Sequence, residues 1–201
     1  SKWITHDFGT FVFLGKDLLI QEVIYHGQSY SICISDVMAF PQDYAAAMTI
    51  YGKLKEFVKV VVIDLGGFTL DYLLMRSGQP DLGVCDSLDN GVIKLYNSIS
   101  SRISSEYDIL LDETDMDQLI QDKPTDYPQE VILTVQEMAR LFTEDFLGSL
   151  RERGIDLRSG GVVFVGGGAI LLEKHIRESG KVGNCIFIPD LQANAKGYRI
   201  L

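Results

Sequence analysis

Apolar and polar positions along the chain switch repeatedly between a two-residue and a helical period. Residues 11–37 carry short β-branched and aromatic runs, FVFLG, DLLIQEVIYHG and QSYSICISDVMAF, broken at Gly27-Gln28 and Ser35-Asp36, and predict short strands. Pro41 then opens QDYAAAMTIYGKLKEF, whose helix formers predict a helix of about three turns. VKVVVIDLGGFTLDYLLMRSG reads as a buried strand at 58–63, a tight Gly66-Gly67 turn and a second strand at 69–75 closed by Ser77-Gly78. PDLGVCDSLDNG supplies a third strand, so a three-strand meander is expected.

Val92, Tyr96, Ile99 and Ile103 recur at helical spacing. The acidic stretch DILLDETDMDQLIQDKPTDYP reads as an excursion holding one short helix. A long helix is predicted over 128–153, with Ile132, Val135, Ala139, Phe142, Phe146 and Leu150 as its buried stripe and Gly154 as its stop. A buried strand (162–165), a glycine triplet, a helix reaching Ser179, a strand (185–188) and a closing helix from Ala193 complete the chain. This order predicts a mixed α/β fold rather than plain alternation of βα units.

Composition narrows the class. The chain has 201 residues, 46% of them apolar and 23% charged, which is ordinary globular usage. A chain of this size buries enough surface to need no staples. Cys33, Cys85 and Cys185 lie far apart, and His6, His26 and His175 fit no zinc spacing, so buried thiols in a reducing cytoplasm are expected. The net charge of -10, with no basic stretch, speaks against direct contact with nucleic acid. The most apolar stretch, 58–75, is interrupted by Lys59, Asp64 and Asp71, so no membrane span is expected. The abrupt start at Ser1-Lys2-Trp3, with no basic and apolar leader, reads as a fragment without a signal peptide.

Two motifs carry chemistry. In VVVIDLGGFTLD an apolar strand delivers Asp64 to its end and Gly66 and Gly67 follow at once. Backbone N–H groups can then approach a phosphate while the carboxylate handles a hydrated Mg²⁺, and Thr69 adds a hydroxyl. A plain hairpin, with Asp64 capping the turn, is the alternative. In FVGGGA, Gly166, Gly167, Gly168 and Ala169 join a strand to a helix start, where glycines admit a nucleotide and the dipole favours anions. A glycine turn serving strand–helix packing is the alternative. A dinucleotide fingerprint fails at its third glycine, which is Leu171 here.

The order strand–Asp–Gly-Gly hairpin, mainly helical insert, strand–Gly-Gly-Gly–helix resembles the actin-like ATPase superfamily, in particular the plasmid-segregation actins of the ParM/StbA type. Residues 63–71 resemble its second phosphate loop, 165–169 its adenosine loop, and Asn194, Ala195, Gly197 and Tyr198 its last helix. Phe40-Pro41-Gln42 resembles the start of its interdomain helix. The resemblance implies an actin-like (ribonuclease H-like) fold that binds ATP or GTP with Mg²⁺. Gln42 would orient the attacking water and Asp64 would hold the metal through water. Gly66, Gly67, Thr69, Gly166, Gly167, Gly168 and Ala169 would contact the nucleotide.

The first phosphate loop is missing from this pattern. His6-Asp7-Phe8-Gly9-Thr10 looks like it, but WITH is a poor buried strand and lies too near Pro41. Residues 1–40 are therefore expected to be the tail of domain I. Residues 41–201 would form domain II, with an insert at about 106–127. By resemblance the intact protein would be a cytoplasmic ATPase that polymerises and moves plasmid or phage DNA through a DNA-binding adaptor. This chain alone would bind nucleotide weakly and turn it over little. A metabolite kinase or phosphatase of the same superfamily, and a nucleotide-gated scaffold that never polymerises, are the alternatives.

Overall fold

Uninterrupted apolar runs such as 60–63 and 162–165 suit strands covered on both faces, and these two lie side by side in the sheet. The computed structural model describes residues 4–6, 9–11, 20–33, 40–190 and 192–201. The chain divides into two units, Ser1–Pro41 and Gln42–Leu201.

In the first unit β1 (Ile4–His6) pairs antiparallel with β2 (Gly9–Phe11), and β3 (Ile20–Tyr25) with β4 (Gln28–Cys33). The β3–β4 turn uses His26 and Gly27, both at positive φ, which matches the twist of a two-residue hairpin. Asp7 and Phe8, and the strand predictions over 12–19 and 34–37, lie outside the described residues.

The second unit opens with α1 (Gln42–Met48) and α2 (Tyr51–Leu54). The single three-turn helix expected here is broken at Thr49-Ile50. The Thr49 hydroxyl donates to the Ala46 carbonyl at 2.7 Å, competing with the helical ladder beside two β-branched residues. The meander follows as β5 (Lys59–Leu65), β6 (Leu70–Arg76) and β7 (Gln79–Leu88), then α3 (Ile93–Tyr107), α4 (Glu113–Ile120) and α5 (Gln129–Glu152). The chain closes with β8 (Gly161–Val165), α6 (Gly167–Leu171), α7 (Glu173–Glu178), β9 (Asn184–Phe187) and α8 (Ala193–Ile200). The sheet order is β7-β6-β5-β8-β9, with β5, β8 and β9 parallel and the meander antiparallel. The mixed α/β class read from the sequence is the fold observed.

Both faces of the sheet are covered. Val61, Ile63 and Leu65 of β5 join the core formed with Ile99 of α3 and Val135 and Phe146 of α5. The alternate residues Val60, Val62 and Asp64 face the other way, where α1 packs across β5, β6 and β8 and α8 packs on α1. Strand parity thus aims the one acid of β5 at α1 and α8.

Three details depart from the pattern. The buried stripe of α5 runs through Val131, Thr143 and Leu147 in place of Ile132 and Phe142, because it must serve both the sheet and α4. The helix expected to reach Ser179 breaks at Leu172, whose fully buried side chain serves the core. Cys85 and Cys185 are free thiols but half-buried rather than buried, since their strands lie at the sheet edges.

The tightest helix contact is α8 on α1. A Cβ placed on Gly197 would lie 1.7 Å from the Ala45 carbonyl oxygen and 2.1 Å from its carbon. Backbone, not a movable side chain, blocks that space. Gly197→Ala is expected to cost about 3 kcal/mol of stability by forcing the helices apart, read from urea unfolding. A variant as stable as the native chain would show that α8 does not seat on α1.

Candidate functional site

The parallel pairing of β5 with β8 sets Asp64 opposite Val165. The Gly66-Gly67 turn and the Gly166–Gly168 bend therefore leave the sheet side by side from the same end. The Gly66 N–H donates to the Thr69 carbonyl at 2.9 Å and closes the first turn. That turn is seated on the start of α3: Gly91, Val92 and Ile93 donate backbone N–H groups to the carbonyls of Phe68, Gly66 and Gly67 at 3.0, 3.1 and 2.9 Å.

The two sets of glycines exist for different reasons. Gly166 has φ +90, and a Cβ there would lie 2.4 Å from Asp64 Oδ1 and 2.6 Å from the Leu65 carbonyl. A Cβ on Gly168 would meet Val92 at 2.6 Å and the Leu65 carbonyl at 2.8 Å. Close approach of the two bends requires glycine at both positions. Gly66 and Gly67 have ordinary backbone angles, and a Cβ on either would make contacts of 3.5 and 3.4 Å. The protein itself does not demand glycine there, so the space they leave open suits a ligand.

A cavity of about 430 Å³ opens where the bends meet, within the range of small-molecule sites. Gly67, Tyr96, Asp117, Gln121, Gly168 and Pro189 are among its lining residues, with Gly167 and Leu171 on the α6 side. The Tyr96 hydroxyl donates to Asp117 Oδ1. Burial first, then this bond, raises the Tyr96 pKa above its ordinary value. In the sequence Tyr96 belongs to the α3 stripe and Asp117 to the acidic excursion. Only the packing of α4 against α3 makes them a pair, a contact between residues far apart in the chain.

Asp64 lies beneath Gly166, only 8% exposed, and its Oδ2 accepts a hydrogen bond from Asn194 Nδ2 at 3.3 Å. Burial raises its pKa, the Asn194 bond lowers it, and the Asp71 charge raises it again. Asp71 is its direct cross-strand partner and accepts from the Thr69 hydroxyl at 2.9 Å. Asp43, only 5% exposed in the first turn of α1, completes an acidic group on this face. Its pKa is pushed well above the ordinary carboxylate range by burial first, then by Asp64 and Asp71. Asn194 Oδ1 is buried without a partner.

Gln42 begins α1 and is exposed, while Ala169 is fully buried in the core. Gly67, Gly167 and Gly168 share the cavity; Asp64 and Gly166 are not among its lining residues, Asp64 being turned toward α1 and α8; Thr69 is engaged with Asp71. Among the described residues no three His, Cys, Asp or Glu side chains gather to hold a metal directly. A hydrated Mg²⁺ reached through water would suit Asp64, since Asp71 is engaged by Thr69, Asp43 is buried in α1, and Asp64 with the unpartnered Asn194 Oδ1 would be too few for direct coordination. The sequence reading missed Asp43, which sits beside Gln42 and reads as a helix first-turn acid, and Asn194, whose link to Asp64 spans 130 positions.

Residues 62–178 match the family model described as archaeal actin homologue MreB-like, C-terminal. Comparison with the curated proteins finds no match. Among solved structures, the archaeal actin homolog Ta0583 is similar at 25% identity and TM-score 0.60, covering 87% of this chain and 58% of that one. Its complex with ADP aligns at 24% identity and TM-score 0.64, covering 90% and 63%. An Alp12 filament structure aligns at 17% identity and TM-score 0.68, covering 90% and 58%. A 15-stranded ParM filament from Clostridium botulinum aligns at 20% identity and TM-score 0.60, covering 86% and 55%. The chain spans less than two thirds of each of these relatives.

The buried acids give a pH signature. Asp43 has an ordinary carboxylate pKa when unfolded and a raised one when folded. Its contribution to stability is full below the ordinary value and is lost as pH rises through the raised one. Asp43→Asn keeps this group neutral. It is expected to raise Tm at neutral pH, by about 2–4 °C for each kcal/mol relieved, and to flatten the decline between mildly acidic and neutral pH. Scanning calorimetry across that range checks this; parallel curves for both proteins would refute it.

Proposed function

The chain belongs to the family of archaeal MreB-like actin homologues, and on that footing we propose that it is the nucleotide-binding domain of an actin-like filament protein. The observation that carries this reading is the meeting of the two glycine bends at one cavity of about 430 Å³. ATP or GTP would place its base and sugar against Tyr96, Gly167, Gly168 and Pro189 and its phosphates over the open Gly66-Gly67 turn, where Thr69 and backbone N–H groups are at hand. Asp64 would hold water of a hydrated Mg²⁺, and Gln42 would orient the attacking water from the start of α1. Bound Mg²⁺ would offset charge on the transferring phosphoryl group. Asn194 fixes one Asp64 oxygen and leaves the other turned toward Gly166.

Polymerisation driven by this nucleotide, in the cytoplasm, is the activity proposed for the whole protein. Movement of plasmid or phage DNA would proceed through a DNA-binding adaptor, since a net charge of -10 repels the DNA backbone. Domain II alone, residues 41–201, supplies one of the two phosphate grips that positioning needs, so weak binding and little turnover are expected of this chain by itself.

Gly66→Ala separates the ligand from the fold. The added methyl makes only ordinary contacts, so Tm without nucleotide should stay unchanged, while affinity for Mg-ATP or Mg-ADP falls about tenfold, or 1.4 kcal/mol. Thermal-shift titration of both proteins measures this. A native chain that no nucleotide stabilises, or a variant that binds as well as the native chain, would sink the reading. Light scattering on adding Mg-ATP to the intact protein separates a polymer, which scatters, from a metabolite kinase, which does not.

A further inference from the structure

A second cavity, of about 510 Å³, opens at the C-terminal end of α5, away from the glycine bends. Leu147 and Ile155, both buried, form its apolar floor. Gly148 lies inside α5, where glycine costs about 1 kcal/mol relative to alanine, yet a Cβ there would meet nothing within 4 Å. Neither backbone conformation nor packing asks for glycine at this position, and its absent side chain widens the opening.

Three cations from three segments converge on this cavity: Arg151 from α5, Arg158 from the α5–β8 loop and Lys181 from beyond α7. None belongs to an ion pair among the described residues, whereas Arg140, Arg153, Lys174 and Arg177 all do. Arg158 is held in place by donating to the Gly180 carbonyl at 2.6 Å. The acid on the rim, Asp156, is taken up by the Ser159 hydroxyl and by the N–H groups of Arg158 and Ser159. In a chain of net charge -10, a pocket with three unpaired cations over an apolar floor fits a partner that is acidic and carries an apolar anchor.

The chain carries such a segment itself. At the junction of α3 and α4, Leu110 is 83% exposed and is flanked by exposed Asp108 and Glu113, neither ion-paired among the described residues, and by Asp112, which caps α4 by accepting the Asp115 N–H. This segment cannot reach the cavity of its own copy. The Tyr107 hydroxyl beside it bonds Thr134, in the first half of α5, at 2.9 Å. Arg151 lies about 25 Å farther along the helix at ~1.5 Å per residue.

We propose that the cavity at the end of α5 receives residues 108–113 of a second copy of this chain, with Leu110 on the apolar floor and the acids against Arg151, Arg158 and Lys181. Two different patches meet in this contact, so it is heterologous. Each added copy presents a fresh cavity and a fresh acidic segment, so the assembly continues to grow unless the rotation of the contact closes a ring. The inference rests on the filament reading and names the surface that reading requires.

Arg151→Glu and Glu113→Lys test it, because neither side chain makes an ion pair or hydrogen bond among the described residues. Sedimentation velocity over a concentration series, with Mg-ATP present, should show self-association weakened about tenfold by either change, and weakened by added salt in the native chain. Combining both changes in one chain should restore native association, since the reversed charges again attract. Nucleotide affinity should stay unchanged in all variants. Association at native strength in either single variant, or a double variant no better than the singles, overturns this interface and leaves the filament reading standing. A native chain that binds nucleotide yet stays monomeric at every concentration also overturns the interface, whereas loss of nucleotide binding would strike the filament reading itself.

Discussion

The parallel pairing of β5 with β8 is the constraint on which the rest of this domain depends. Five residues of β5, Val60 to Asp64, run in register with the five of β8, and Asp64 meets Val165 at their common end. From that point each strand must turn, and the turns collide unless Gly166 and Gly168 lack side chains. The cavity, the buried position of Asp64 and the seating of the first turn on α3 all follow from this shared exit. Strand–strand register, not loop sequence alone, builds the site.

The acidic face shows what the site costs the fold. Asp64 and Asp71 oppose each other across an antiparallel pair, an arrangement that is unfavourable for like charges, and Asp43 is buried beside them. A structure chosen only for stability would place apolar residues or a cation here. The apolar neighbours Val60, Val62 and Ala45–Ala47 hold these carboxylates where water would otherwise disperse them.

Much of the fold was legible in the residues. The near-continuous apolar runs of β5 and β8 gave strands within two residues of those observed, because burial on both faces leaves a strong pattern, and the stripe of α3 gave its helix without its bounds. Strand parity of Asp64 was also readable, though not its destination. Legibility ended where contacts join distant segments. Tyr96 with Asp117, and Asn194 with Asp64, depend on how helices cross, and no spacing in the chain encodes that. The break at Thr49 and the one-position shift of the α5 stripe came from competition between local propensity and tertiary packing.

The seating of the Gly66-Gly67 turn on α3 has a mechanical consequence. Three backbone hydrogen bonds rivet the turn to the first residues of a helix 15 residues long, and a Cβ on Gly91 would overlap the Gly67 carbonyl at 2.2 Å. Turn and helix therefore travel as one piece. A tug on the turn becomes a tilt of a rod roughly 22 Å long, whose side chains Tyr96 and Tyr107 grip α4 and α5. A shift of the turn would therefore be felt where Tyr96 and Tyr107 hold the neighbouring helices.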